Sequence, residues 1–148
     1  MDRGSVGSVR GNTLVAVALG GGVGAAIRYE LALRFAATTP PSFPTVTLLI
    51  NVAGSFLLGG LMILIVDHWP PTRYVRPFIA IGILGGFTTF STFVVETDRL
   101  IGTGHAEAAV AYVAISLAAG LVAVGAGALV VDRAWSLGAR SRRADGAR

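Results

Sequence analysis

Four apolar stretches, each long enough to cross a bilayer, constrain this chain more than any other feature of its 148 residues. A span takes about 20 mostly apolar residues. The first runs from Leu14 to Phe35 and carries Arg28 and Glu30 near its end. The second, Thr45 to Val66, holds one strongly polar side chain, Asn51. The third, Val75 to Val95, ends in a run rich in hydroxyls and phenylalanine. The fourth, Ala108 to Val131, is nearly all Ala, Val, Leu and Gly, with Tyr112 and Ser116 as its polar members. The first stretch has no clear signal-peptide cleavage site, and three further spans follow it. Proline pairs at Pro40-Pro41 and Pro70-Pro71 stop helices, and Trp69 and Trp135 sit where interfacial anchors belong. The expected fold is an all-α membrane protein: four transmembrane helices in one domain over 1–148, the third helix broken mid-span. Residues 1–11 read as an N-terminal tail and 133–148 as a basic, disordered C-terminal tail.

Only 14% of the residues are charged. Soluble domains carry about 25%, so these cannot coat a water-facing surface. With no cysteine, disulfide frameworks and thiolate metal sites are excluded. The net charge of +4 comes entirely from arginine, since the chain has no lysine. These arginines flank the spans rather than forming one stripe, which argues against nucleic acid. Four crossings put both termini and the central loop on one side. Arg3, Arg10, Arg73, Arg76, Arg133, Arg140, Arg142, Arg143 and Arg148 fall there, against Arg28, Arg34 and Arg99 opposite. The positive-inside rule makes the termini cytoplasmic, and the basic tail lies where anionic headgroups are within reach.

Polar groups at membrane depth are costly and therefore informative. Asn51 shares a helical face with Gly54 and Ser55. Its ordinary role is an interhelical hydrogen bond, as that of a helix-end Arg28 is to snorkel. Gly20 and Gly24, and Ser116 and Gly120, form small-xxx-small pairs that suit close helix packing. The third span is the least ordinary. Gly82, Gly85 and Gly86 lead into Phe87-Thr88-Thr89-Phe90-Ser91-Thr92-Phe93, weakening the helix where three threonines and a serine can bond freed backbone. Broken helices survive at this depth only where protein or a cavity satisfies them, and they often mark ion sites. Phe90 and Phe93 face the same way, and aromatic edges turned inward receive an anion without a full charge.

Two motifs fail on context. Gly20-Gly21-Gly22-Val23-Gly24 follows no strand, so it is not a dinucleotide loop. His105-Ala106-Glu107 has the spacing of a zinc deaminase motif, without the cysteines to complete it. His68 and His105 read as solvated loop residues. No nucleophile and base are paired, and an enzyme is unsupported.

Three segments together resemble the small fluoride channels of the CrcB/Fluc family: Gly20 to Tyr29, Thr47 to Phe56 and, most specifically, Gly82 to Phe93. Tyr112 and Ser116 extend the likeness over roughly residues 12 to 131. The resemblance implies a passive, fluoride-selective channel built as an antiparallel dimer in the bacterial cell membrane, with two pores between subunits. By that likeness Phe90 and Phe93 line the anion path, and Asn51 bonds an ion or orients a ring. Tyr112 and Ser116 begin a fourth-span polar track, and Ser91 and Thr92 add hydroxyl contacts. Some members carry a further hydroxyl near the position of Gly120, which is absent here. Gly85 and Thr88 match the break whose carbonyls hold a structural Na+ on the dimer axis, and Arg28 matches a vestibule arginine.

An antiparallel homodimer inserts one chain both ways, which a balanced arginine count favours. Nine against three favours instead a second, oppositely biased subunit, whereas the intact Phe pair and sodium motif favour a homodimer. The rival class is a small multidrug exporter, which needs a carboxylate midway along its first span. Glu30 lies too near the end. A structural membrane subunit without transport is the other alternative.

Overall fold

Leu, Val, Ala and Ile dominate every long segment, and in hydrocarbon the backbone must satisfy its own hydrogen bonds. The helix does so locally. A computed structural model describes residues 3–35, 43–68 and 74–145, and among these the regular structure is helical throughout. Helix α1 covers Arg3–Phe35 and α2 covers Thr45–Ile63, continued by a π-helical turn at Leu64–His68. The third span opens as a π-helix, Pro77–Ile83, becomes the short α3, Leu84–Phe87, breaks, and resumes as α4, Phe90–Gly102. A tight turn with Gly104 at φ +83° leads into α5, Ala106–Asp145. Four segments are long and apolar enough to cross a membrane: Gly11–Phe35, Thr45–Val66, Pro77–Gly102 and Ala106–Gly138.

The break falls where the glycines and threonines place it. Thr88 has ψ 157° and Thr89 has φ −145° and ψ 122°, both extended. Three expectations change. Residues 3–11 continue α1, with no proline to stop it, and the basic tail is helical through Asp145, where Ala, Leu and Arg are good helix formers. His68 ends the π-helical turn rather than standing in a loop. The connections read around Pro40-Pro41 and Trp69 to Pro71, with Arg73 and Arg148, lie outside the described residues.

Helix α2 packs along α5, and α1 packs along the first half of the third span, while α4 rests on α5. Glycine makes both long contacts possible. A Cβ on Gly24 would strike the carbonyl of Ile83, and one on Gly59 would strike the carbonyl of Val124. The Gly20–Gly24 face expected from the sequence is therefore a helix-packing face. A small buried cluster of Leu100, Ala109 and Tyr112 joins α4 to α5, flanked by Phe43, Leu48 and Phe93.

Candidate functional site

The break in the third span is organised by three side chains that replace lost helical bonds. Asn51 on α2 reaches it with both ends of its carboxamide. Its Nδ2 donates to the Thr89 carbonyl (3.0 Å), and its Oδ1 accepts from the Thr89 N–H (2.9 Å). Gly54, one turn on, is required by this approach, since a Cβ there would strike the Thr88 methyl group. Thr89 caps α4: its Oγ1 accepts from the Thr92 N–H (3.2 Å) and donates to Thr92 Oγ1 (3.0 Å). Arg28 on α1 donates through Nε to the Gly86 carbonyl (3.1 Å). A cation at the C-terminal end of a half-helix is also favoured by the helix dipole. Arg28 is thus bonded to the backbone of the break.

These substitutions release particular carbonyls. In an unbroken helix the Thr89 N–H would return to Gly85 and the Thr92 N–H to Thr88. Here they go to Asn51 and to the Thr89 hydroxyl. Gly85 and Thr88 are left without those helical partners, and both line one groove. A Cβ on Gly85 would meet nothing within 4 Å, in contrast to the packed Gly82 and Gly86. Carbonyl oxygens are the ligands that alkali cations accept in place of water. No group of three His, Cys, Asp or Glu able to hold a metal occurs among the described residues. The Gly85 and Thr88 carbonyls are oxygens of the kind a hard monovalent cation accepts.

The groove itself is open on the outer face of the subunit, with a volume of about 390 Å³. Asn51, Ser55, Thr89, Phe90, Phe93 and Ser116 line it together with Gly85 and Thr88, and no lining residue carries a charge. Phe90 is 78% exposed. Its ring lies 5.9 Å from that of Phe93, at an interplanar angle of 33°. The column continues inward, with Phe93 5.1 Å from Tyr112 and Tyr112 edge-on to Phe43 at 5.5 Å. Ser116 Oγ is buried and has no hydrogen-bond partner among the described residues. Position 120 lacks a hydroxyl, yet Ser55 Oγ stands 3.6 Å from where a Gly120 Cβ would be, so α2 supplies a hydroxyl at that level.

Most of the residues singled out from sequence converge, but not all. Asn51, Phe90, Phe93 and Ser116 share the groove with Gly85 and Thr88. Tyr112 is completely buried and reaches the groove through its contact with Phe93. Ser91 and Thr92 are absent from the groove wall. Their hydroxyls join the cap around Thr89, with Ser91 Oγ 3.3 Å from Thr89 Oγ1. Glu30 pairs with Arg34 (3.5 Å), both exposed, so it is not a buried carboxylate of the exporter kind.

The important residue not singled out is Glu96. Its Oε1 accepts from Thr47 Oγ1 (2.8 Å) and its Oε2 from the Tyr112 hydroxyl (2.9 Å). A span ending at Val95 leaves this carboxylate just outside. The signal was its spacing, three residues beyond Phe93 and six beyond Phe90, on the same helical face. Thr47 precedes Asn51 by one turn in the same way. His105 is exposed, with Nδ1 3.2 Å from Thr103 Oγ1 at the turn before α5.

A multi-pass membrane protein with a broken third span, and an uncharged polar groove beside the break, is the class defined by this architecture. The family model for the CrcB-like protein, Camphor Resistance (CrcB), matches residues 15–128. The chain belongs to the CrcB family. It is 49% identical over 140 residues to a Streptomyces avermitilis protein named Fluoride-specific ion channel FluC 3, covering 92% of this chain and 68% of that one. A Cereibacter sphaeroides protein named Fluoride-specific ion channel FluC is 40% identical over 124 residues, covering 84% of this chain and 97% of its own length. One of the same name from Ruminiclostridium cellulolyticum is 42% identical over 124 residues, covering 84% and 95%. This is a family of ion channels, not of enzymes.

Proposed function

We propose that this chain is a passive, fluoride-selective channel that lets fluoride leave the bacterial cytoplasm down its electrochemical gradient. The carrying observation is the groove wall, which offers amide, hydroxyl and phenyl-edge groups and no full charge. Fluoride is small and tightly hydrated, so a pore must replace its water along the route yet release the ion. A cation deep in the path would hold it too tightly. The buried, unpartnered Ser116 Oγ is a donor available to such an ion. The names of the relatives support fluoride as the permeant species. Hydrogen fluoride enters acidified cells as a neutral acid and dissociates inside, so an anion channel relieves the trapped load.

The groove opens on the subunit's outer face, and Phe90 is largely uncovered there. A second subunit laid antiparallel across that face closes two equivalent pores. The Gly85 and Thr88 carbonyls of both chains then supply four oxygens to a structural Na+ on the axis. That ion contributes fixed positive charge between the two anion paths. Asn51, Phe90, Phe93, Tyr112 and Ser116 form the path in this reading, with Ser55 added and Glu96 held behind it by Thr47 and Tyr112. Arg28, Ser91 and Thr92 serve the break beside it.

The test is efflux from liposomes loaded with fluoride or chloride. Purified chain is expected to release fluoride rapidly and chloride at the background leak. Phe90→Ile and Asn51→Ala should each slow fluoride efflux by at least tenfold. Equal passage of both anions, or unchanged fluoride flux in both variants, overturns the assignment.

A further inference from the structure

We infer that Asn51 prepares the cation site: by holding both backbone polar groups of Thr89, it keeps the Gly85 carbonyl free to bind a monovalent cation. The inference rests on the sodium reading above and assigns Asn51 a positioning role toward that ion. The Thr89 N–H is the natural partner of the Gly85 carbonyl in a continuous helix, and Asn51 Oδ1 takes it instead at 2.9 Å. The Nδ2 group meanwhile donates to the Thr89 carbonyl at 3.0 Å, so the peptides on either side of the Thr89 Cα are both fixed. The Thr89 hydroxyl does the equivalent for Thr88, accepting the Thr92 N–H at 3.2 Å.

In a regular helix the four carbonyls at the break, Gly85 to Thr88, would accept from the amides of residues 89 to 92. Gly86 recovers a donor from Arg28, and Phe87 does not line the groove. Gly85 and Thr88 remain as groove-lining residues whose carbonyls are each freed by one side chain. A half-buried amide left without its acceptor is destabilising. Removing Asn51 therefore drives the Thr89 N–H back toward Gly85, in competition with the cation. Because Asn51 also lines the groove, one side chain sits between the anion path and the cation site.

The experiment reads thermal stability of the purified full-length chain in detergent. NaCl is titrated against N-methylglucamine chloride at constant ionic strength. Wild-type protein is expected to gain stability with Na+. Asn51→Leu should raise the half-maximal Na+ concentration at least tenfold. Thr89→Val should do so through Thr88, with Thr89→Ser returning to the wild-type value, and this pair decides if Asn51→Leu does not fold. Hydrogen exchange at the Thr89 amide in Na+-free buffer should also accelerate at least tenfold in Asn51→Leu. A wild-type Na+ midpoint in Asn51→Leu and Thr89→Val, with fluoride efflux lost in the former, overturns the inference and leaves Asn51 an anion ligand only. No Na+ dependence in the wild type overturns the sodium reading itself.

Discussion

At the scale of single residues, Glu96 carries the sharpest chemistry among the described residues. A carboxylate at membrane depth is tolerated when its lone pairs are met by donors. Thr47 and the fully buried Tyr112 meet one oxygen each. Hydrogen bonds to charged groups contribute about 1.5–3 kcal/mol, so Tyr112→Phe should lower the melting temperature and slow fluoride efflux. Glu96→Gln keeps the shape and one acceptor, and a rotated hydroxyl can accept from the new amide. We expect it to fold as well as wild type while fluoride efflux drops at least tenfold. Wild-type flux in both variants would show that this trio does not shape the path. Tyr112 is legible in the sequence but its partner is not, because the apolar run of the third span closes at Val95, one residue before Glu96. Only the crossing of α2, α4 and α5 brings Thr47, Glu96 and Tyr112 within bonding distance.

Among the elements, the third span decides the architecture of the site. Its break was legible, since Gly85-Gly86 followed by Thr88-Thr89 both weakens a helix and supplies side chains to cap its restart. The π-helical opening at Pro77–Ile83 was not, because one extra residue per turn leaves no mark in an apolar sequence. Helix α1 lies against this half-span through glycine. Gly24→Ala puts a methyl group into the Ile83 carbonyl, an overpacking that costs about 1–3 kcal/mol and should lower the melting temperature. Gly22→Ala has nothing within 4 Å and should leave stability unchanged or raise it by about 0.5–1 kcal/mol. A thermal melt of the two variants checks both. Periodicity alone treats these glycines alike, and only the neighbour across the contact separates them.

At the scale of the whole molecule, the arginine count and the open groove bear on the same question of partnership. Nine arginines on the side of the termini against three opposite predict one dominant orientation. Helix α5, at 40 residues, is about 60 Å long against a hydrocarbon core of about 30 Å, so its basic end stands well clear of the bilayer. A C-terminal fluorescent fusion should therefore report a cytoplasmic terminus in nearly every copy. A chain inserted one way only meets no oppositely oriented copy of itself in the cell membrane, whereas purified copies in detergent can pair in both orientations. Robust efflux from cells that express this chain alone would establish the homodimer and remove the partner. The number of spans, the bias of their flanks, the broken third helix and the Phe pair all follow from local composition and spacing, because bilayer thickness and helical period act on each segment separately. Which hydroxyl meets Glu96, which amide Asn51 takes and which carbonyls are thereby released depend on helices far apart in the chain. Those choices belong to the packing, where glycine contacts set the separation of the helices and hydrogen-bond distance selects the partners.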